Sequence, residues 1–438
     1  MILNMIKTSF FLIFLAIFIL LIPLSKYQGA LIVSLLSIFI IFYQIIFSKI
    51  RLSINNIFLF GFAYFMFLYP FLYSLGLADI PIYSAEIFNK SIGISFLALV
   101  IYTFTYNSFF KKKYDNIYFQ INKKKYKYIN KNLFLFFLII FYSYFTIFGQ
   151  GIFNKNLILF TGILFFFYLM PKKHYLSVII IFLFFFILTI MSSSGRRDII
   201  KITLIFLFYM QIYYGNFNII PLLIGLCSTI LGMGIITAIR TFSIDWQYSR
   251  DIGIIDIFND STYLQNVFTG YGSYLENALV LGDFGVAYNN YLFIIKNITD
   301  IGYLYGQSFI RLFVFFIPRS IWSEKPIDVQ TMIVELNSNL FYASGSSQSV
   351  SLMGEIFWNF GYFAIIISFF FIGLINKKID SWSFLSNPYS FLMVMSLVPF
   401  FMLMWRGSFS TTFIYALANI LVLFTCLMIS KISLSKKL

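Results

Sequence analysis

Twelve runs of apolar residues of roughly membrane-spanning length occupy most of the chain, at about 8–24, 30–47, 54–76, 91–109, 133–148, 157–170, 175–191, 198–214, 217–239, 355–375, 389–405 and 409–430. A hydrocarbon core of about 30 Å takes about 20 residues of α-helix, and lipid offers no partner to an unbonded backbone N–H. Runs of this kind are therefore expected to fold as helices, and the chain as an all-α, polytopic membrane protein. Composition agrees, because 60% of the residues are hydrophobic and 11% charged, whereas a soluble globule carries about 25% charge. The runs at 133–148 and 157–170 fall short of a full crossing. The first run offers no small-residue cleavage site from Ile17 to Leu24 and a second follows at once, so it reads as a retained anchor.

Charge placement supports the even count. With the N-terminus in the cytoplasm, twelve spans put Lys49 to Arg51, the basic segment 111–131, Lys172-Lys173, Lys377-Lys378 and Lys431 to Lys437 on the cytoplasmic side. Seventeen of the 23 lysines are then inside, as the positive-inside tendency requires. One span fewer would put Lys377-Lys378 and the C-terminal lysines outside. The net charge of +15 thus reports topology and contact with anionic lipid headgroups, and it gives no sign of nucleic acid. The expected organisation is nine spans in 1–239, one long external loop in 240–354, and three spans in 355–438.

Arginine runs against the lysine pattern. Arg196, Arg197, Arg240, Arg250, Arg311, Arg319 and Arg406 all fall on the outer face in this topology, and only Arg51 is inside. Long loops cross regardless of charge, but the turn Ser192-Ser193-Ser194-Gly195-Arg196-Arg197-Asp198 joins two short spans, where external cations oppose orientation. One reading pairs Arg197 with Asp198 and lets both arginines snorkel to headgroups. The other is an anionic ligand, because guanidinium forks match phosphate bidentately and adjacent Ser and Gly leave N–H groups free for oxyanions. Met404-Trp405-Arg406-Gly407-Ser408, at the outer junction of the last two spans, brings arginine to the same face from another part of the chain.

The loop 240–354 holds ten of the sixteen acids. Within it, Gly270 to Leu281 reads as a short amphipathic helix bearing Glu276. Gly306 to Pro326 contains an apolar run from Phe309 to Ile317 that is too short to span, interrupted by Arg311 and followed by Pro318, Arg319, Trp322 and Lys325. It is expected to lie in the membrane interface. Ala343 to Ser351 is a polar stretch leading to Gly354-Glu355, at the mouth of the tenth span. Cys227 and Cys426 lie in apolar runs and suggest neither a disulfide nor a metal site, and the one histidine, His174, lies on the cytoplasmic side.

The SSSGRRDI turn, the GQSFIRLFVFFIPRSIWSEKP stretch, the GEIFWNFGYF entry to the tenth span and the WRGS junction resemble the Wzy-type O-antigen and capsule repeat-unit polymerases, over roughly 190–410. The resemblance implies an inner-membrane glycosyltransferase with its active face periplasmic, and the lysine placement above puts both termini in the cytoplasm. It would move a growing glycan from undecaprenyl diphosphate onto a new lipid-linked repeat unit, with a chain-length regulator as partner. Such transfer needs charge neutralisation on the leaving diphosphate and a base for the incoming hydroxyl. No Asp-x-Asp or His/Asp cluster falls on the outer face, so a metal-independent reaction without a cofactor is expected. Arg196, Arg197, Arg240, Arg250, Arg319 and Arg406, with Arg311 and Lys325 behind them, are the candidates for the diphosphate. Glu276 and Glu355 are the candidates for the base, followed by Asp79, Glu86, Asp245, Asp283 and Glu324. A glycan ligase would look similar in bulk, but the related ligases imply an external histidine. A lipid-linked oligosaccharide flippase would carry charge within its spans and short loops between them.

Overall fold

The computed structural model of the protein describes residues 28–46, 53–76, 83–108, 196–214, 283–315, 317, 320–337, 348–383 and 388–414, with isolated positions at 270 and within 178–187, 224–235 and 416–420. Every regular element among them is helical. The chain forms two compact units, one from Met1–Asp115, Val280–Ser381 and Phe400–Tyr415, the other from Asn116–Leu279, Trp382–Pro399 and Ala416–Leu438.

In the first unit, α1 (Gln28–Ile46) packs on a long broken helix and on α4 (Ala85–Ser108). The broken helix starts as α2 (Ile54–Phe62), widens to a π-turn at Ala63–Leu68 and resumes as α3 (Tyr69–Ser74). Pro70 explains the widening. It lacks the N–H an α-helix would use there, and its ring would strike the carbonyl four residues back, so the preceding turn opens. In the second unit, α5 (Arg196–Tyr214) buries Ile199, Ile202, Thr203 and Phe206, and Phe206 stacks on Phe182 with ring centroids 4.2 Å apart.

Four helices among the described residues are long and apolar enough to cross a membrane: Gln28–Ile45, Ile54–Ser74, Ala85–Ser108 and Leu352–Ser381. They coincide with the second, third, fourth and tenth predicted spans. Spans 8–24, 133–148 and 157–170, the basic segment 111–131, and all of 270–281 except Gly270 lie outside the described residues.

The stretch 240–354, expected to be a long loop with amphipathic and interfacial helices, is helical in much of its described part. It contains α6 (Asp283–Ile301), α7 (Gln307–Val314) and α8 (Val329–Asn337). Ala287, Tyr288, Tyr291, Leu292 and Ile294 of α6 are fully buried. The Tyr288 hydroxyl lies 2.6 Å from that of Ser91 on α4, and its ring packs at 5.9 Å from Tyr69 and 6.0 Å from Phe88. Asn289, Asn290, Asn297 and Asp300 interrupt the apolar pattern of α6, so no spanning run shows in the sequence.

Two further helices are α9 (Leu352–Ser383) and α10 (Pro388–Leu403). Helix α9 runs beyond the predicted end of the tenth span at 375, with Asn376 and Asp380 buried. Asp380 finishes the N-terminus of α2: Ile54 N–H donates to its Oδ1 at 2.7 Å, Asn55 N–H to its Oδ2 at 3.1 Å, and Tyr106 OH to Oδ2 at 2.7 Å. Ser53 accepts the Asn56 N–H at 3.1 Å, so the first three N–H groups of α2 are all satisfied by side chains. The start of α2 and the ends of α4 and α9 thus meet. Gly373 lets α9 approach α4 closely, since a Cβ there would lie 3.0 Å from Thr105 and 3.1 Å from the Tyr102 carbonyl. Asp380→Ala, which strands two N–H groups and a phenol in a buried place, is expected to cost about 2–5 kcal/mol. Thermal unfolding of the purified chain in lipid nanodiscs measures this, and a variant melting with the wild type would contradict it.

Candidate functional site

The site grows from a break in α9. Phe360 (φ −145°, ψ 21°) and Gly361 (φ 64°, ψ −141°) leave helical geometry, and Gly361 takes a backbone region closed to most side chains. The break frees carbonyls, and the loop after α6 supplies donors: Leu304 N–H to Trp358 O at 3.0 Å and Tyr305 N–H to Asn359 O at 3.1 Å. Asn359 completes the joint, its Oδ1 accepting from Gly306 N–H at 2.9 Å while its Nδ2 donates to Ser308 Oγ at 2.8 Å and to the Glu355 carbonyl at 2.7 Å.

The kink also redirects the first two turns of α9. A straight helix would separate Leu352 from Phe369 by about 25 Å. Yet Leu352 N–H donates to Met404 O at 3.1 Å, and the ring of the next residue, Trp405, lies 6.0 Å from that of Phe369. The first turns of α9 therefore lie beside the 404–412 segment, and Glu355 is carried inside with them.

Glu355 is fully buried. Its Oε2 accepts the Ser410 N–H at 3.3 Å, and its Oε1 has no hydrogen-bond partner among the described residues. The Ser308 and Ser410 hydroxyls face the carboxyl group without completing a bond to Oε1. A buried carboxyl oxygen left without a donor is costly and uncommon.

A second cluster adjoins it through the same hydroxyl-rich turn. Arg311 on α7 reaches Asp328 with Nη1 2.9 Å from Oδ1, and the same nitrogen donates to Thr411 Oγ1 at 2.9 Å. Thr411 in turn donates to Asp328 Oδ2 at 2.6 Å. Ser408 Oγ lies 3.2 Å from Asp328 Oδ1, 2.9 Å from Thr411 Oγ1 and 3.5 Å from Ser410 Oγ, so the turn that binds Glu355 also binds Asp328. Asp328 caps α8, accepting the Gln330 N–H at 3.3 Å. A buried acid and a guanidinium thus share one polar turn, and among the described residues one oxygen of the first and two nitrogens of the second have no partner.

The family model for O-antigen polysaccharide polymerase Wzy matches residues 150–437, about two thirds of the chain. The chain belongs to that family. The match includes Arg311, Asp328, Glu355 and the turn 408–411. No curated protein and no solved structure gives a significant match. Membership and the apolar helices make this a membrane-embedded, glycosyltransferase-like polymerase acting on lipid-linked oligosaccharide repeat units.

Of the residues singled out in this Wzy-family sequence, the structure brings Glu355 and Arg311 together. Arg406 lies in the same turn, half-buried, its N–H donating to Leu403 O at 3.1 Å. Lys325 serves α7, its Nζ donating to the carbonyls of Phe315 at 2.7 Å and Ile317 at 2.9 Å. Arg196 and Arg197 open α5, and Asp283 opens α6. Glu324 is exposed, and so is Glu86 in the first turn of α4. Arg240, Arg250, Arg319, Glu276, Asp79 and Asp245 lie outside the described residues. Among the described residues, no three His, Cys, Asp or Glu side chains gather as metal ligands.

Sequence reading passed over Asp328, Ser308 and the hydroxyls of 408–411. Two signals were present. Asp328 stands immediately before an apolar helical run, the position of an N-cap. Ser408, Ser410, Thr411 and Thr412 crowd polar groups into a junction between two apolar spans, where a bare topological turn needs none.

Proposed function

We propose that this family member joins undecaprenyl-diphosphate-linked oligosaccharide repeat units into long O-antigen or capsular polysaccharide on the periplasmic face of the bacterial inner membrane. The observation that carries the reading is the shared turn, which sets the open Glu355 oxygen beside the Arg311–Asp328 pair. In this mechanism Glu355 accepts the proton of the acceptor hydroxyl at the non-reducing end of a new lipid-linked unit. The hydroxyl oxygen forms its bond to the anomeric carbon of the growing chain as the bond from that carbon to the lipid diphosphate breaks. The diphosphate leaves with the electron pair, and Arg311 meets its charge, as guanidinium groups placed where charge develops do. Arg196, Arg197, Arg240, Arg250, Arg319, Arg406 and Lys325 are the further cations of the proposed diphosphate path, and Glu276 is the other candidate base. The reaction so drawn uses no metal or cofactor. The full proposal has twelve spans with both termini in the cytoplasm, and a chain-length regulator as a partner in the membrane.

The glycan profile of a strain lacking the protein tests this reading. The expected result is loss of the ladder of long chains with a single repeat unit still attached to the final acceptor. Loss of all surface glycan would instead indicate a ligase or a flippase.

A further inference from the structure

Arginine and carboxylate ordinarily meet through two parallel bonds, a fork on a fork. Arg311 and Asp328 do not. Only Nη1 of Arg311 bonds within the site, to Asp328 Oδ1 and to Thr411 Oγ1, each at 2.9 Å. Thr411 accounts for the difference, because its hydroxyl occupies Asp328 Oδ2 at 2.6 Å, the oxygen that a second guanidinium nitrogen would take. Ser408 and the Gln330 N–H fill the remaining places on Oδ1, at 3.2 and 3.3 Å. Asp328 is therefore held on all sides. The Arg311 side chain keeps 21% of its surface exposed, and its Nε and Nη2 have no partner among the described residues.

Resting on the reading of Arg311 above, we propose that Asp328 and Thr411 are positioning residues for that arginine. Asp328 grips one guanidinium nitrogen, Thr411 blocks the second contact, and the Nε–Nη2 edge is left open as a preformed fork for the diphosphate of the lipid carrier. The arrangement has two physical advantages. A partly buried guanidinium keeps a counter-charge while no substrate is bound, which avoids stranding an unpaired cation. Its open edge needs no rotamer search when the diphosphate arrives, so less side-chain freedom is lost on binding.

Thr411 gives the cleaner test, because it carries no charge. In Thr411→Val the Oδ2 atom is released, Arg311 closes onto Asp328 bidentately, and the open edge is lost. Thr411→Ser keeps the hydroxyl and is the rescue. The probe is inorganic pyrophosphate binding to the full-length protein in lipid nanodiscs, read by calorimetry beside the thermal midpoint of each variant. Pyrophosphate is expected to bind about tenfold more weakly to Thr411→Val, with binding recovered in Thr411→Ser and both proteins folded, a pattern that simple loss of packing would not give. Wild-type binding by Thr411→Val, or equal weakening in Thr411→Ser, would overturn the positioning role. Wild-type binding by Arg311→Ala would overturn it at its root. None of these measurements involves glycan synthesis, so they fail or succeed separately from the polymerase reading, which the ladder of the deletion strain decides.

Discussion

Replacing Glu355 by glutamine is expected to strip the long-chain ladder from the cell surface while leaving the protein in the membrane. A positioned general base contributes about 10²–10⁴ to rate, and a loss of that size reduces polymer below detection in a gel of surface glycan. Glutamine is the informative change because it keeps the shape of the buried side chain. Its amide oxygen still accepts the Ser410 N–H, and its NH2 turns toward the Ser308 and Ser410 hydroxyls, which accept it. Nothing in the packing is lost, so the amount of protein in the membrane fraction should match the wild type. Glu355→Asp draws the carboxyl back by one methylene and is expected to recover only part of the activity, since Ser410 is then out of reach. A normal ladder from Glu355→Gln would remove Glu355 as the base and turn attention to Glu276.

Glu355 also shows what the sequence made legible. Its position at the head of an apolar run marked it as a candidate, but an acid at a membrane mouth is ordinarily a solvated group. The break at Phe360-Gly361 is what takes it inside, and a break depends on the loop 302–306 being present to accept it, a contact with no local trace. Helices α2, α4 and α9 were readable because lipid demands continuous apolar helix and leaves few alternatives. Helix α6 escaped notice because tertiary contact with Ser91, Tyr69 and Phe88 stabilises it, where its own periodicity is broken by Asn and Asp. Arginine drew attention as charge set against topology. The partner that defines Arg311, Asp328, lies 17 residues further along in sequence and among ten acids of one loop, and only folding distinguishes it from the others. Lys325 shows the same limit, since its contacts with the carbonyls of Phe315 and Ile317 at the end of α7 leave no mark in the sequence.

Trp405→Ala is expected to be the most destabilising of the core substitutions, and to reach the site from a distance. The ring is fully buried, stacked on Phe62 with centroids 4.3 Å apart, and packed at 4.8 Å from Phe58 and 6.0 Å from Phe369. Its Nε1 donates to the Phe58 carbonyl at 2.9 Å. Removing it costs about 3–5 kcal/mol, chiefly through the cavity and the lost packing, because lipid is as apolar as the interior and weakens the transfer contribution. Gly61 is shaped to the same ring, since a Cβ there would lie 2.4 Å from Trp405 Cδ1. Gly61→Ala should therefore destabilise by about 1–3 kcal/mol through overpacking. If the two act on one contact, the alanine methyl in the double variant fills part of the space the indole vacates, and the combined loss falls below the sum by about 1 kcal/mol or more. Reversible unfolding of the four proteins in mixed micelles gives the cycle, and strict additivity would show that Gly61 answers to something other than the indole. The functional consequence follows from the bond between Leu352 N–H and Met404 O. Trp405 anchors the strand of chain that holds the first turn of α9, so loosening it should lower polymerisation even in protein that remains folded, by displacing Glu355 from the hydroxyls of 408–411.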